Sequence, residues 1–178
     1  MSITLIIQHK AMDIQNAYNE ADETFTAFLG EFSAIDEGKV NIVPFTGSWT
    51  AAQLAQHIVL SAGSFVQLLS GPVKDTDRDP EANVQQLRTI FLDLNTKFKS
   101  PDFIVPEDKD YDKQDLLKTL NGIRGGLLNA IESLDTTKTC TLFELPGSGY
   151  ITRAEAITFA TVHTKRHIYQ LKNISAHL

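Results

Sequence analysis

Apolar residues recur at three- and four-residue steps along most of the chain, and this spacing restricts it to a helical fold. Each periodic stretch is long enough for several helical turns, and each is bounded by glycine, proline or a polar run. The pattern predicts helices over about residues 9–35, 51–70, 81–98, 113–134 and from 153 onward.

Two of these helices have a readable start. Thr50 and Thr152 can each cap a first turn, and Gln53 and Glu155, three residues later, complete the capping-box pattern. Gly71 followed by proline predicts the end of the second helix. Three glycines in the fourth helix, at 122, 125 and 126, predict either a close helix approach or a bend.

Four or five long helices with short to medium connections predict an all-α helix bundle. Extended segments are expected only near residues 3–7 and 139–145, and a turn is expected at P-G-S-G, residues 146–149. No repeat, low-complexity tract or linker divides the 178 residues, so we expect one domain over residues 1–178.

Charge and composition exclude several classes of function. The formal net charge is −6 and the basic residues are scattered, which argues against a nucleic-acid partner. The apolar run Ile3–Ile7 is too short for a signal peptide, and no stretch is long enough to cross a bilayer. The single cysteine, Cys140, cannot form an internal disulfide and is expected to be a buried or incidental thiol. The chain is expected to be cytoplasmic, with no membrane partner.

Three histidines are the candidates for chemistry. His163 and His167 are four residues apart on the last predicted helix and therefore share a face. If the second helix packs against the last, His57 can add a third imidazole, leaving coordination positions open on a divalent metal. Gln170, one turn beyond His167, is a candidate to support the site or to face a substrate.

The histidine spacing alone leaves an alternative open, because ordinary core or surface histidines produce it fairly often. His9 and His177, near the ends of the chain, are expected to be solvated. The last helix lacks the glutamate of the H-E-x-x-H pattern, so a zincin-like protease is not supported. Trp49 is expected to anchor the start of a helix, and Arg166 to be solvated or ion-paired on another face.

Two segments resemble one known family. G-S-W-T-A-A-Q-L-A-Q-H, residues 47–57, is similar to the opening of helix two in the DinB-like superfamily, also known as the YfiT-like metal-dependent hydrolases. The closing segment, residues 146–171, resembles the same family in its Pro-Gly turn, its capped helix and its H-x-x-x-H-x-x-Q spacing. Thr164 departs from many relatives, which have an acidic or amide residue after the first histidine of the pair.

The resemblance implies a four-helix bundle of up-down-down-up topology, with His57, His163 and His167 binding a divalent metal such as zinc, nickel or iron. It also implies a hydrolase or a low-molecular-weight-thiol S-transferase acting on a small-molecule substrate, with such a thiol as a second cofactor. The alternative is a non-catalytic metal- or ligand-binding bundle with a stress-related role. A homodimer formed through an exposed helix face is a further expectation.

Overall fold

The computed structural model describes residues 12–145 and 147–178, and α-helices make up most of that part of the chain. The helices are α1 (Ile14–Ala34), α2 (Ala51–Ser70), α3 (Val84–Leu92), α4 (Lys113–Ser133) and α5 (Arg153–Ser175). Short 3-10 turns lie at Glu37–Lys39 and Asp102–Ile104. None of these helices combines the length and apolar character that a membrane span needs.

Contacts along α5 give its direction relative to α1 and α2. Lys165 and Lys172 of α5 pair with Glu20 and Glu31 of α1 in the same order, so α1 and α5 are parallel. The order is reversed on α2. The start of α5 lies at the end of α2, where Arg153 donates to the Leu69 carbonyl, and Phe159 stacks on Phe65 one turn earlier in α2.

Contacts along α4 complete the topology. Lys113, at the start of α4, donates to the Ser33 and Ile35 carbonyls at the end of α1, so these helices are antiparallel. Helix α4 runs parallel to α2, because Ile123 lies against Gly63 and Gly126 against Val66. The bundle is therefore up-down-down-up, and the expected all-α class and four-helix bundle are confirmed.

The core lies between the four long helices, with α3 packed on the outside of α5. Its largest fully buried side chains come from every layer of the bundle: Phe25, Phe28, Phe32, Leu54, Ile58, Leu68, Leu69, Leu120, Leu127, Ile131, Ile151 and Ile157. Of the three α4 glycines, only Gly126 lies where a side chain would crowd a neighbour, since a Cβ there would be 3.0 Å from Val66 Cγ1. The close-approach interpretation is correct for that glycine.

Both predicted capping boxes are present. The Thr50 and Thr152 hydroxyls accept from the backbone amides of Gln53 and Glu155, whose side chains bond back to the capping residues. The start of α1 was predicted too early. The helix begins at Ile14, because the Asp13 carboxylate caps it by accepting from an amide of its first turn.

The predicted end of α3 was wrong. The helix ends at Leu92, six residues before Phe98, although the apolar spacing continues. The Asp93 carboxylate accepts from the amide of Asn95 and the hydroxyl of Thr96, a local turn that competes with the helix.

Extended structure is limited to a small antiparallel pair in the described residues. Strand β1 (Val73–Lys74) pairs with β2 (Thr139–Cys140). Strand β2 lies within the predicted extended segment 139–145, whereas β1 was not predicted. The turn after β2 is present, with Gly147 and Gly149 at φ +80° and +65°, where side chains are disfavoured. The predicted extended run at residues 3–7 lies outside the described residues.

Candidate metal centre

The antiparallel packing of α2 on α5 brings the three candidate histidines together. His163 and His167 lie one turn apart on α5, and His57 of α2 faces them. Each offers one ring nitrogen, and these three nitrogens lie within 4.8 Å of one another. The side chains are 1%, 8% and 9% exposed for His57, His163 and His167, so the cluster lies inside the bundle.

His57 is oriented by a backbone carbonyl. Its Nδ1 lies 2.8 Å from the Ile104 carbonyl oxygen, which only accepts, so Nδ1 carries the proton and donates. The lone pair is then on Nε2. That atom is buried and has no hydrogen-bond partner among the described residues. A buried nitrogen without a partner is costly, and an ion bound at this point would satisfy it.

The α5 pair has a similar arrangement. His167 Nδ1 lies 2.8 Å from Gln170 Oε1, so the amide oxygen accepts the Nδ1 proton and leaves the Nε2 lone pair facing inward. His167 Nε2 lies 3.1 Å from His163 Nε2. Without a bound ion, one proton between these two nitrogens makes their hydrogen bond. A cation bound there would replace that proton.

Burial keeps all three imidazoles neutral. It lowers the pKa of His57, against a smaller opposing effect of the Ile104 carbonyl. It lowers the pKa of His167 to about 3, with His57 adding to the effect. Burial and the positive charge that neighbouring His167 and His57 would carry hold the pKa of His163 well below its usual range. Neutral imidazole is the form that binds a metal ion.

Aromatic rings surround the cluster. The His57 ring lies 5.1 Å from the Trp49 ring, measured between centroids. On the other side, the His163 ring stacks on Phe159 at 5.5 Å and meets Phe91 edge-on at 5.8 Å. Trp49 also packs against the core, as expected, so it both anchors the start of α2 and lies beside the site.

The three imidazole nitrogens suit a divalent transition-metal ion of intermediate hardness. Three neutral nitrogens suit zinc, nickel, copper or iron(II) and leave positions for further ligands. Two ligands at about 2 Å from one ion are about 3–4 Å apart. The three histidine nitrogens, all within 4.8 Å of one another, have a comparable spacing.

The other reactive residues and the described cavities lie outside the histidine cluster. Cys140 is fully buried, and burial raises the pKa of its thiol to about 11, which argues against a nucleophilic role. His177 is exposed and bonds the Asn173 carbonyl, and His9 is outside the described residues. Two described cavities, of about 630 and 440 Å³, are not lined by any histidine of the cluster.

Sequence reasoning missed two groups beside the cluster. The Ile104 carbonyl orients His57, yet a backbone acceptor in an irregular segment has no sequence signal. Arg166 was expected to be solvated or ion-paired. Instead it donates to carbonyls at the end of α3 and lies over the Phe98 ring.

Comparison with known proteins gives a matching family and similar solved structures. The family model of the DinB superfamily matches residues 20–171. The crystal structure of TT2238, a four-helix bundle protein, is similar with a TM-score of 0.57 at 18% identity, over 90% of this chain and 98% of that one. YfiT from Bacillus subtilis, with an unusual four-helix bundle topology, is similar with a TM-score of 0.58 at 13% identity, over 96% and 94% of the two chains. No curated protein matches this sequence.

Proposed function

This chain belongs to the DinB superfamily, and we propose that it is a divalent-metal-dependent enzyme that acts on a small molecule at the His57–His163–His167 cluster. The observation that carries the proposal is the buried Nε2 atom of His57, which has no partner among the described residues and lies beside two further imidazoles. The similar protein YfiT is described as a probable metal-dependent hydrolase, which supports the same class of chemistry.

The chain's own residues would hold the ion and fix the orientation of the imidazole rings that bind it. The Ile104 carbonyl holds the His57 proton on Nδ1, and the Gln170 amide oxygen does the same for His167. Such outer hydrogen bonds orient metal-binding imidazoles and increase their basicity. Trp49 and Phe159 border the cluster with rings that limit the entry of water.

When bound, a divalent ion supplies Lewis-acid chemistry, by activating water or a thiol or by polarising a substrate carbonyl. Two reactions are consistent with this site: hydrolysis, and transfer of a low-molecular-weight thiol to an electrophile. Within the described residues, no carboxylate belongs to the cluster, so the protein offers it only imidazole, amide and backbone groups. A water or thiol nucleophile would therefore lose its proton to the solvent, because amide and backbone groups are not bases at neutral pH and the imidazole lone pairs would be bound to the ion.

A second candidate function is a non-catalytic metal-binding bundle. The observation that favours it is the burial of the site, since each histidine is less than a tenth exposed. This candidate predicts metal binding at one ion per chain without turnover.

The test is metal analysis of untagged protein purified without chelator. We expect about one equivalent of zinc, nickel or iron, lost in His57→Ala and His163→Ala and kept in His177→Ala, which removes an exposed histidine far from the cluster. Loaded protein is then screened for ester, amide and thiol-transfer turnover. Turnover that His57→Ala abolishes supports the enzyme, whereas metal without turnover supports the binding bundle. Wild-type protein that takes up no metal, even after incubation with each ion, contradicts both.

A further inference from the structure

Arg166 lies close enough to the cluster for its positive charge to lower the pKa of His163 and His167, yet its guanidinium bonds to none of the histidines among the described residues. It is bonded instead to the main chain at and beyond the end of α3. Its Nη1 donates to the Asp93 carbonyl at 2.5 Å and to the Phe91 carbonyl at 3.4 Å, and its Nη2 donates to the Thr96 carbonyl. A cation at the carboxyl end of a helix is also favoured by the helix dipole.

These bonds hold a segment that covers one side of the cluster. We call residues 91–98 the cover segment. The Phe91 ring meets the His163 ring edge-on at 5.8 Å and also contacts Phe159 at 4.6 Å. Phe98 stacks on Phe91 at 5.4 Å, and the guanidinium carbon of Arg166 lies 5.0 Å from the centre of the Phe98 ring.

Beyond Leu92, Arg166 and the contact between the Phe98 and Phe91 rings connect the cover segment to the bundle, whereas Phe91 itself lies in α3, which packs on α5. After Leu92 the cover segment has no regular structure, and its side chains are largely exposed, with Leu94 and Phe98 at 49% and 47%. Its own hydrogen bonds, which the Asp93 carboxylate accepts from the Asn95 amide and the Thr96 hydroxyl, are local and exposed. Hydrogen bonds from an ionised donor are roughly twice as strong as neutral ones, so the guanidinium is the strong hydrogen-bond donor that ties residues 93–96 to α5.

We propose that Arg166 is a positioning residue for the three-histidine site: it holds the cover segment over His163 and thereby limits access of water and ligands to the cluster. The planar guanidinium matters more than its charge, because three carbonyls in different directions need a fork of donors. This inference rests on the proposed function for the identity of the ligand. The shielding of His163 is a property of the metal-free protein as well, which allows an independent test.

The first measurement is the rate at which diethylpyrocarbonate modifies each histidine of the metal-free protein at pH 7.5, read by mass spectrometry. Exposed His177 in the same molecule is the internal reference. We expect Arg166→Met to raise the His163 rate relative to His177 by about tenfold. That corresponds to about 1.4 kcal/mol of closing free energy, within what hydrogen bonds to a charged group contribute.

Three further variants identify the cause. Lys165→Met is the matched control, because it removes the neighbouring cation of α5, whose Nζ lies 3.7 Å from Glu20 rather than on the cover segment. Its His163 rate should stay at the wild-type value. Arg166→Lys keeps the charge without the fork and should resemble Arg166→Met. Phe98→Ala, on the exposed segment outside the bundle core, should raise the rate by a smaller factor and tests the inference if Arg166→Met fails to fold.

The second measurement is the rate of zinc release from loaded protein to excess 4-(2-pyridylazo)resorcinol. Arg166→Met should release zinc about tenfold faster than Lys165→Met. If wild-type protein binds no zinc, nickel or iron(II) but the modification rates still differ, the proposed function fails and the positioning role stands. If zinc binds normally while Arg166→Met and Phe98→Ala modify like Lys165→Met, or Arg166→Lys behaves as wild type, the positioning role is wrong and the proposed function is unaffected.

Discussion

The first turn of α5 and its middle turns both bury polar side chains, but they satisfy them differently. At the first turn, Glu155 is fully buried. Its two oxygens accept from Arg78 at 2.6 Å each, from the Asn83 amide at 3.0 Å and from the Thr152 amide at 2.9 Å. Thr152 in turn donates to the Pro80 carbonyl at 2.6 Å. We call this group the Glu155 network.

In the middle of α5, the outer Nδ1 atoms of His57 and His167 are paired, whereas the inner Nε2 of His57 has no partner among the described residues. His57 and His167 donate outward to Ile104 and Gln170, and their lone pairs face His163 across a shared space. A network in which every group has a partner stabilises one conformation, whereas three converging ring nitrogens that share a single proton fit a cation. The Glu155 network is therefore suited to a structural role, and the histidine cluster to the proposed metal-binding one.

Removing the Glu155 carboxylate should produce the largest change in stability. Glu155→Gln cannot accept both Arg78 donors as a carboxylate does, and we expect the free energy of unfolding to fall by about 3 kcal/mol. Urea unfolding measures the change. Exposed Glu132→Gln is the control and should change it by less than about 0.5 kcal/mol. Zinc uptake per folded molecule should remain at the wild-type value, and a loss of uptake would show that the two groups are coupled.

Zinc should stabilise the protein only through the histidine cluster. At a free zinc concentration of about 100 times Kd, the free energy of unfolding should rise by about 2.7 kcal/mol in wild type. His57→Ala should show no rise, and His177→Ala should show the full one. For each variant, the unfolding free energy in zinc is compared with its own value in chelator. This comparison removes the effect of the substitution on the stability of the metal-free protein. Stabilisation of His57→Ala by zinc would place the ion elsewhere.

In the metal-free protein, a fall in pH should remove the stability contributed by the histidine cluster before that contributed by the Glu155 network. The folded pKa of His167 is about 3, below the unfolded value of about 6.5. The unfolded chain therefore binds more protons below pH 6.5, and stability is lost as the pH falls towards the folded pKa. Between pH 7.5 and 5.5 we expect a loss of about 1.4 kcal/mol from this histidine.

His167→Gln should reduce that loss, and exposed His177→Gln should not. The contribution of Glu155 to the free energy of unfolding changes only at lower pH. Burial raises its pKa, but the hydrogen bonds from Arg78 and the backbone amides lower it by more, so the folded pKa lies below the usual value. Its contribution is constant above the unfolded pKa of about 4.3 and is lost as the pH falls further. Equal pH slopes for wild type and His167→Gln from 7.5 to 5.5 would contradict the assignment.

Substitution of Gln170 should have the smallest effect on the stability of the fold. Its side chain is exposed, so Gln170→Met should change the unfolding free energy of the metal-free protein by less than about 0.5 kcal/mol. Zinc affinity should nevertheless fall by about tenfold, because His167 loses the acceptor that orients it. Gln170→Glu keeps an acceptor at the same place and should retain the affinity in a calorimetric titration.

The features that were correct from sequence are local ones. Thr50 with Gln53, and Thr152 with Glu155, begin their helices as predicted, because a capping box involves only four consecutive residues. His163 and His167 are neighbours for the same reason, since one helical turn separates them. Apolar periodicity alone was misleading at α3, where it continues to Phe98 although the helix stops at Leu92.

By itself, the sequence determined the long helices, their caps, the bundle class and the histidine pair on α5. Joining His57 to that pair required either the family resemblance or the packing of α2 on α5. Only the tertiary structure decided which groups orient the imidazoles and cover them: the Ile104 carbonyl, and Arg166 with residues 91–98. The physical reason is that backbone acceptors carry no side-chain signal, and contacts between residues about 47 to 75 positions apart depend on the path of the whole chain.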